Sequence, residues 1–239
     1  VSAAALLALG ASITSFAAAK GTWMMVDGEW YCYDKNGDAY TNTFCSSNGK
    51  EYYVGDDGQL VRSAWVDGDD GDKYFVNSSG AKITNDWRLT TPCDDDSADE
   101  EWYYFKSNGK MANSEKLTYK GKTYYFDSEG KMLTGWQQKD GHWYYFDTSY
   151  GGMKTGWLKE GDKWYYLNPN QGGPEGAMIS NCWLTISGKT YFINQSGVMM
   201  EGWYQVSGKW YYFYPGDGSK AVSTSIGGFV VDADGVWNH

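Results

Sequence analysis

Two histidines, His142 and His239, are all that a chain of 239 residues offers for proton transfer near neutral pH. A Ser-His-Asp or Cys-His arrangement therefore has almost nothing to be built from. Carboxylates are plentiful, but Asp127, Glu129 and Asp147 fall in clusters of Asn, Asp, Ser and Gly, where Asp forms turns and stays solvated. A glycosidase pair must face across a cleft, whereas repeated turns set carboxylates in a row along a surface. No catalytic residue is assigned, and no cofactor is called for. The run CDDDSADEE from Cys93 to Glu101 is dense in the hard oxygen ligands that suit Ca²⁺, yet it lacks Gly-punctuated ligand spacing and reads as an inserted, solvated loop. No metal site is assigned.

The four cysteines, Cys32, Cys45, Cys93 and Cys182, lack the close Cys-x-x-Cys pairs of a structural zinc site. A local Cys32 to Cys45 bridge and free buried thiols stand as alternatives. Cys182 holds the place of Gly in a Gly-Trp pair, a substitution within a repeat rather than a sign of chemistry.

The chemistry that remains belongs to the indoles. Trp136 precedes Trp143 by seven positions, as Trp157 precedes Trp164 and Trp203 precedes Trp210. A Gly-Trp closing one unit is thus tied by a short polar link to the aromatic opening the next. Two indoles and an aromatic from a neighbouring hairpin form a box that suits a quaternary ammonium, which is drawn to ring faces and makes no hydrogen bonds. Walls worth about 0.5 to 2 kcal/mol each, less the cost of association, give millimolar binding, about −4 kcal/mol. Several such sites on one polymer convert weak binding into durable attachment.

The elements that carry these aromatics repeat. GKTYYFDSEGKMLTGW (Gly121 to Trp136) and GHWYYFDTSYGGMKTGW (Gly141 to Trp157) share one plan, and aromatic runs recur at Trp30, Tyr52, Tyr74, Trp102, Tyr124, Trp143, Trp164, Tyr191, Trp210 and, weakly, Gly228. A period of about 20 residues with aromatic strands and Asn/Asp/Gly turns predicts β-hairpins, the tight turn being the cluster that follows each run. Trp143 and Tyr145 point to one face, Tyr144 and Phe146 to the other. A strand apolar on both faces needs partners on both, so the hairpins must stack. The expected fold is all-β, a solenoid of stacked hairpins with about ten repeats over residues 20–239, the N-terminal half degenerate and the last unit a cap.

Composition agrees. Aromatics make up 18% of the chain with 4 Pro, which argues against disorder, and a net charge of −10 disfavours nucleic acid and anionic membranes as partners. Residues 1–19, apolar and ending in Ala17-Ala18-Ala19, are expected to be a signal-peptide remnant, which implies a secreted protein with no membrane span in its mature part.

The units from Thr134 to Trp157 and from Thr155 to Leu167 resemble the choline-binding, or cell-wall-binding, repeats of Gram-positive surface proteins. The resemblance implies hairpins wound into a superhelix, and choline of teichoic acids held between repeats in aromatic boxes with a nearby Met. Carried onto this sequence, it implies one box from Trp136, Trp143 and the run at Trp164. A second uses Trp157, Trp164 and Tyr191, a third Trp183, Tyr191 and Trp210, and a terminal one Trp203 and Trp210. Met132, Met153, Met178 and Met199 take the Met position. In the N-terminal half the closing aromatic is Phe44 or follows Ala64 or Asp86, and insertions at Asp67 to Asp72 and Leu89 to Glu101 lengthen the links. The implied function is non-catalytic attachment to wall choline. Similar repeats in glucan-binding and clostridial toxin proteins bind sugars, which keeps a glycan polymer as an alternative partner, beside a structural stalk in which every Trp is core.

Overall fold

The computed structural model describes residues 18–169 and 172–237. Among the described residues, ten antiparallel hairpins account for the strands. In the N-terminal half, β1 (Thr22–Val26) pairs with β2 (Glu29–Tyr33), β3 (Thr43–Ser47) with β4 (Lys50–Val54), β5 (Ala64–Asp67) with β6 (Lys73–Val76), and β7 (Asp86–Thr90) with β8 (Glu101–Phe105). Then β9 (Lys116–Tyr119) pairs with β10 (Lys122–Tyr125), β11 (Gly135–Lys139) with β12 (His142–Phe146), and β13 (Gly156–Glu160) with β14 (Lys163–Leu167). The last three are β15 (Cys182–Ile186) with β16 (Lys189–Ile193), β17 (Gly202–Val206) with β18 (Lys209–Phe213), and β19 (Thr224–Ile226) with β20 (Phe229–Val231). Each aromatic run named above is, or overlaps, the second strand of a hairpin. Two compact units result. One reaches to Glu115 and includes Phe126–Met132; the other comprises Lys116–Tyr125 and the chain from Leu133 onward.

The tight turn lies elsewhere than the sequence suggested. It is the short polar link before each aromatic run: Asp140 and Gly141 both have positive φ, 50° and 78°, as do Asn48 and Gly49, Ser187 and Gly188, and Ser207 and Gly208. Two consecutive positive-φ residues match the twist of the flanking strands, so this link makes the better hairpin turn. The Asn/Asp/Gly cluster after the run makes a second reversal instead. Asp127 Oδ1 accepts from the backbone N–H of Glu129 (2.9 Å) and Lys131 (2.8 Å), which wraps the chain so that Met132 bridges back to Phe126. Met132 N–H then donates to Trp102 O of an earlier hairpin (2.9 Å), and Met199 N–H to Trp164 O (2.8 Å) in the same manner. These returns tie successive two-stranded ladders together.

The return also fixes the packing of the methionines. A Cβ on Gly197, at φ 80°, would overlap Met178 Sδ, and one on Gly218 would overlap Met199 Sδ. The turn glycine of one repeat is therefore the lid over the methionine of the repeat before.

The N-terminal half keeps the hairpin plan despite its departures in sequence. Before Trp157 the corner into the strand is turned by Gly156 (φ 77°); before Phe44, Trp65, Trp87 and Trp183 a positive φ is taken one residue earlier, by Asn42, Ser63, Asn85 and Asn181. Two local solutions serve one corner, because Asn, like Gly, tolerates the left-handed region. The insertion at Asp67 to Asp72 lies at a hairpin tip, as does Thr90 to Glu101, and both leave the ladders intact, with Trp65 opposite Phe75 and Trp87 opposite Tyr104. The longer return after β14 also leaves its tie in place, since Met178 N–H still reaches Trp143 O (2.7 Å).

The core runs along the second strands: Phe105, Leu167, Ile193 and Phe213 are fully buried. Cys32 and Cys45 meet there as free thiols, hydrogen-bonded to each other, so of the two alternatives left by the sequence the buried-thiol one describes this pair. Burial pushes the Cys45 thiol far above its ordinary value. Of the apolar stretch expected to be a signal-peptide remnant, residues 1–17 lie outside the described residues, while Ala19 pairs with β3 through Ala19 N–H to Phe44 O (2.7 Å). His239 also lies outside them. Among the described residues no helix is long and apolar enough to cross a membrane.

Candidate ligand-binding site

Hairpin register decides which aromatics share a face. In β11 and β12, Trp136 stands opposite Tyr145 and Gln138 opposite Trp143, so Trp136 and Trp143 lie diagonally on one face. The spacing of seven is what a two-residue turn requires for that diagonal. Trp157 and Trp164 repeat it, with ring centroids 6.3 Å apart and planes at 90°, and Trp203 and Trp210 repeat the register.

The next hairpin contributes the third wall. Trp157 meets Tyr191 at 5.0 Å and Trp136 meets Tyr165 at 4.9 Å, both edge-on. Tyr165 and Tyr191 hold the same ladder position, the third residue of the second strand. The expected box of Trp157, Trp164 and Tyr191 is thus brought together. In the box expected from Trp136, Trp143 and the run at Trp164, the wall from that run is Tyr165; Trp164 itself sits one residue away and so faces the Trp157 side. For Trp183 the neighbours are Tyr211 (4.8 Å) and Phe192 (5.1 Å) rather than Tyr191 and Trp210. Trp203 meets Phe229 (5.8 Å) and Trp237 (6.0 Å), which completes the terminal pair with Trp210.

The return segment closes each corner. Met178 reaches the Trp143 backbone and Met199 the Trp164 backbone, as given above, and Met199 packs with Tyr191 and Trp157 in one apolar cluster. Met132 docks at Trp102 (2.9 Å) and Met153 at Thr123 (2.8 Å). Of these two, Met153 faces a hairpin whose ladder carries Lys116 and Thr123 in place of the two indoles, so it closes no three-ring box.

A site near the N-terminus follows the same plan. Trp23 and Trp30 share the seven-residue diagonal, Trp23 meets Tyr52 at 5.7 Å, and Leu60 takes the methionine position with its N–H on Trp30 O (2.9 Å). The spacing was available in the sequence. Tyr165, Tyr211, Phe229 and Trp237 were not singled out, because their membership depends on which face of a following hairpin turns toward the box.

The walls differ in exposure. Trp143 is 42% and Trp210 37% exposed, whereas Tyr145 behind Trp136 is buried. Burial, reinforced by the hydrogen bond its hydroxyl donates to Glu160 (2.8 Å), pushes the Tyr145 phenol up and keeps it a neutral donor. The site is therefore an aromatic corner with one exposed wall.

The choline-binding repeat family model matches residues 97–134, 114–155, 133–183 and 180–225, together more than half of the chain. A structure of CbpF in complex with ipratropium is similar, with 27% identity, a TM-score of 0.56 and coverage of 91% of this chain and 92% of that one. CbpF from Streptococcus pneumoniae has also been solved in the presence of a peptidoglycan analogue. The choline-binding domain of CbpL from the same species gives 27% identity and a TM-score of 0.55, covering 91% and 96%. A putative endo-beta-N-acetylglucosaminidase from Streptococcus pneumoniae is 28% identical over 92 residues, 38% of this chain but only 12% of that protein.

Proposed function

Because the chain belongs to the choline-binding repeat family, we propose that it attaches non-covalently to choline-bearing polymers of a Gram-positive cell wall. No catalysis of its own is assigned. The observation that carries the reading is the corner of Trp157, Trp164 and Tyr191, closed by Met199, in which perpendicular rings offer π-faces within cation–π range of one point. The corresponding corners are Trp136, Trp143, Tyr165 with Met178, then Trp203, Trp210 with Phe229, and Trp23, Trp30 with Tyr52. A secreted, surface-bound chain released from a signal peptide fits this role. The negative charge of the chain favours a cation over an anionic head group.

A glycan is the second reading, favoured by the exposed Trp143 and Trp210 that stand beside Gln138 and Gln205 in the ladders. Such shelves stack on a sugar face with an amide at hand for hydroxyls. Tryptophan fluorescence titrated with choline, tetramethylammonium and muropeptide separates the two. A saturable response to both cations in the millimolar range, weakened in Trp164→Ala, is expected. A response to muropeptide alone would replace the cation reading with the glycan one.

A further inference from the structure

We propose that Lys82 and Lys220 are tethered occupants of two aromatic boxes, each ammonium standing where a ligand cation stands in the open ones, so that these repeats are closed to ligand. The inference rests on reading the open boxes as cation sites. Both lysines occupy the position that methionine fills elsewhere: Lys82 N–H donates to Glu51 O (2.8 Å) and Lys220 N–H to Thr190 O (2.7 Å), as Met199 does to Trp164 O. Their side chains run into the same corner. Lys82 Nζ lies 4.8 Å from the Phe44 ring and 5.3 Å from Tyr74, two rings that are 5.1 Å apart. Lys220 Nζ lies 5.2 Å from Trp183 and 5.7 Å from Tyr211.

Each pair of rings is the closing aromatic of one hairpin and the aromatic two residues before the end of the next hairpin's second strand, the same two walls that Trp157 and Tyr191 supply. The missing wall completes the argument. Where the methionine position carries Lys, the opening aromatic is absent too: Glu51 replaces it beside Lys82 and forms an ion pair with it, and Thr190 replaces it beside Lys220. Lys220 is held by the Asp234 carbonyl (2.7 Å). Each ammonium therefore has two ring faces and one oxygen partner. Lys159 shows the contrast, exposed and over the single ring of Trp164 at 5.9 Å. A cation attached to the backbone has an effective concentration at its own box that millimolar free choline does not match.

Equilibrium dialysis of choline against the full chain, with Lys220→Met, Lys82→Met and the neutral polar variant Lys220→Gln, tests this. Each variant is expected to bind one more choline per chain than the parent, with its fold checked by circular dichroism. In the parent, the ε-methylene protons of Lys82 and Lys220 should resonate upfield of those of exposed Lys209, displaced by the rings above them. Parent binding with unchanged stoichiometry in both folded Lys220 variants would overturn the inference alone, as would unshifted ε-methylene signals. A parent that binds no choline would overturn the function on which it rests.

Discussion

The adjacent hairpins β13–β14 and β15–β16 share a frame and differ in what fills it. In both, the closing Trp meets its cross-strand partner edge-on, Trp157 with Tyr166 at 5.0 Å and Trp183 with Phe192 at 5.1 Å, and then a Tyr of the next hairpin. They part at two positions, Trp164 against Thr190 and Met199 against Lys220. The residues that stack the array and those that define the ligand are thus separable. Closing Trp and third-position Tyr are kept in both repeats; opening aromatic and return residue are what differ between them.

That separation predicts a ranking of effects. Trp157→Ala should cost the most, about 3 to 5 kcal/mol of stability, because it empties a packed corner shared by two hairpins. Urea denaturation should show it, and a loss under 1 kcal/mol would mean the indole is not structural. Gly197→Ala should follow at about 2 to 3 kcal/mol, since its Cβ meets Met178 and its φ is left-handed. Choline titration of that variant should lose the Trp136 site and keep the Trp157 site. Thr190→Trp should leave choline stoichiometry unchanged while Lys220 remains, whereas Trp164→Thr should weaken the neighbouring site about tenfold, the loss of one wall of about 1.4 kcal/mol. An added site in Thr190→Trp alone would erase the distinction between the two repeats.

The smallest effect concerns pH. The Lys189 ammonium (2.7 Å), aided by Ser219, holds the Asp217 carboxyl down to about 2. A depressed carboxylate stabilises the fold fully above its unfolded value near ~3.9 and ceases to do so as pH falls through about 2. Both partners are well exposed, so solvent screening limits the gain to about 0.5 kcal/mol. Asp217→Asn should therefore lower stability slightly at pH 6 and leave it unchanged at pH 2; equal loss at both would point to lost packing instead.

Much of this fold was legible because aromatic runs and turns recur at a near-constant interval. Every run marked a second strand. What the interval hides is the rotation between repeats, and this is why the run at Trp164 was legible as a wall of the Trp136 box while the residue that supplies it, Tyr165, was not. Tight-turn placement was missed for a related reason: both polar clusters in each repeat carry turn-forming residues, and only consecutive positive-φ pairs such as Asp140-Gly141 identify the hairpin tip. The lysine substitution did leave a trace. Gly218-Ser219-Lys220 and Gly80-Ala81-Lys82 keep the spacing of Gly197-Val198-Met199. Its meaning depends on where the chain end of that side chain goes, which only the packed corner reveals.

Each open box draws walls from two hairpins, and this bears on how the array carries load. Seams between hairpins are where a repeat array yields first under tension, since each unit leans only on its neighbours. A ligand seated in the box acts as a rivet across such a seam. At one hundred times its Kd it adds about 2.7 kcal/mol to that joint. Anchoring to a polymer thus hardens the array at the points through which the wall pulls on it.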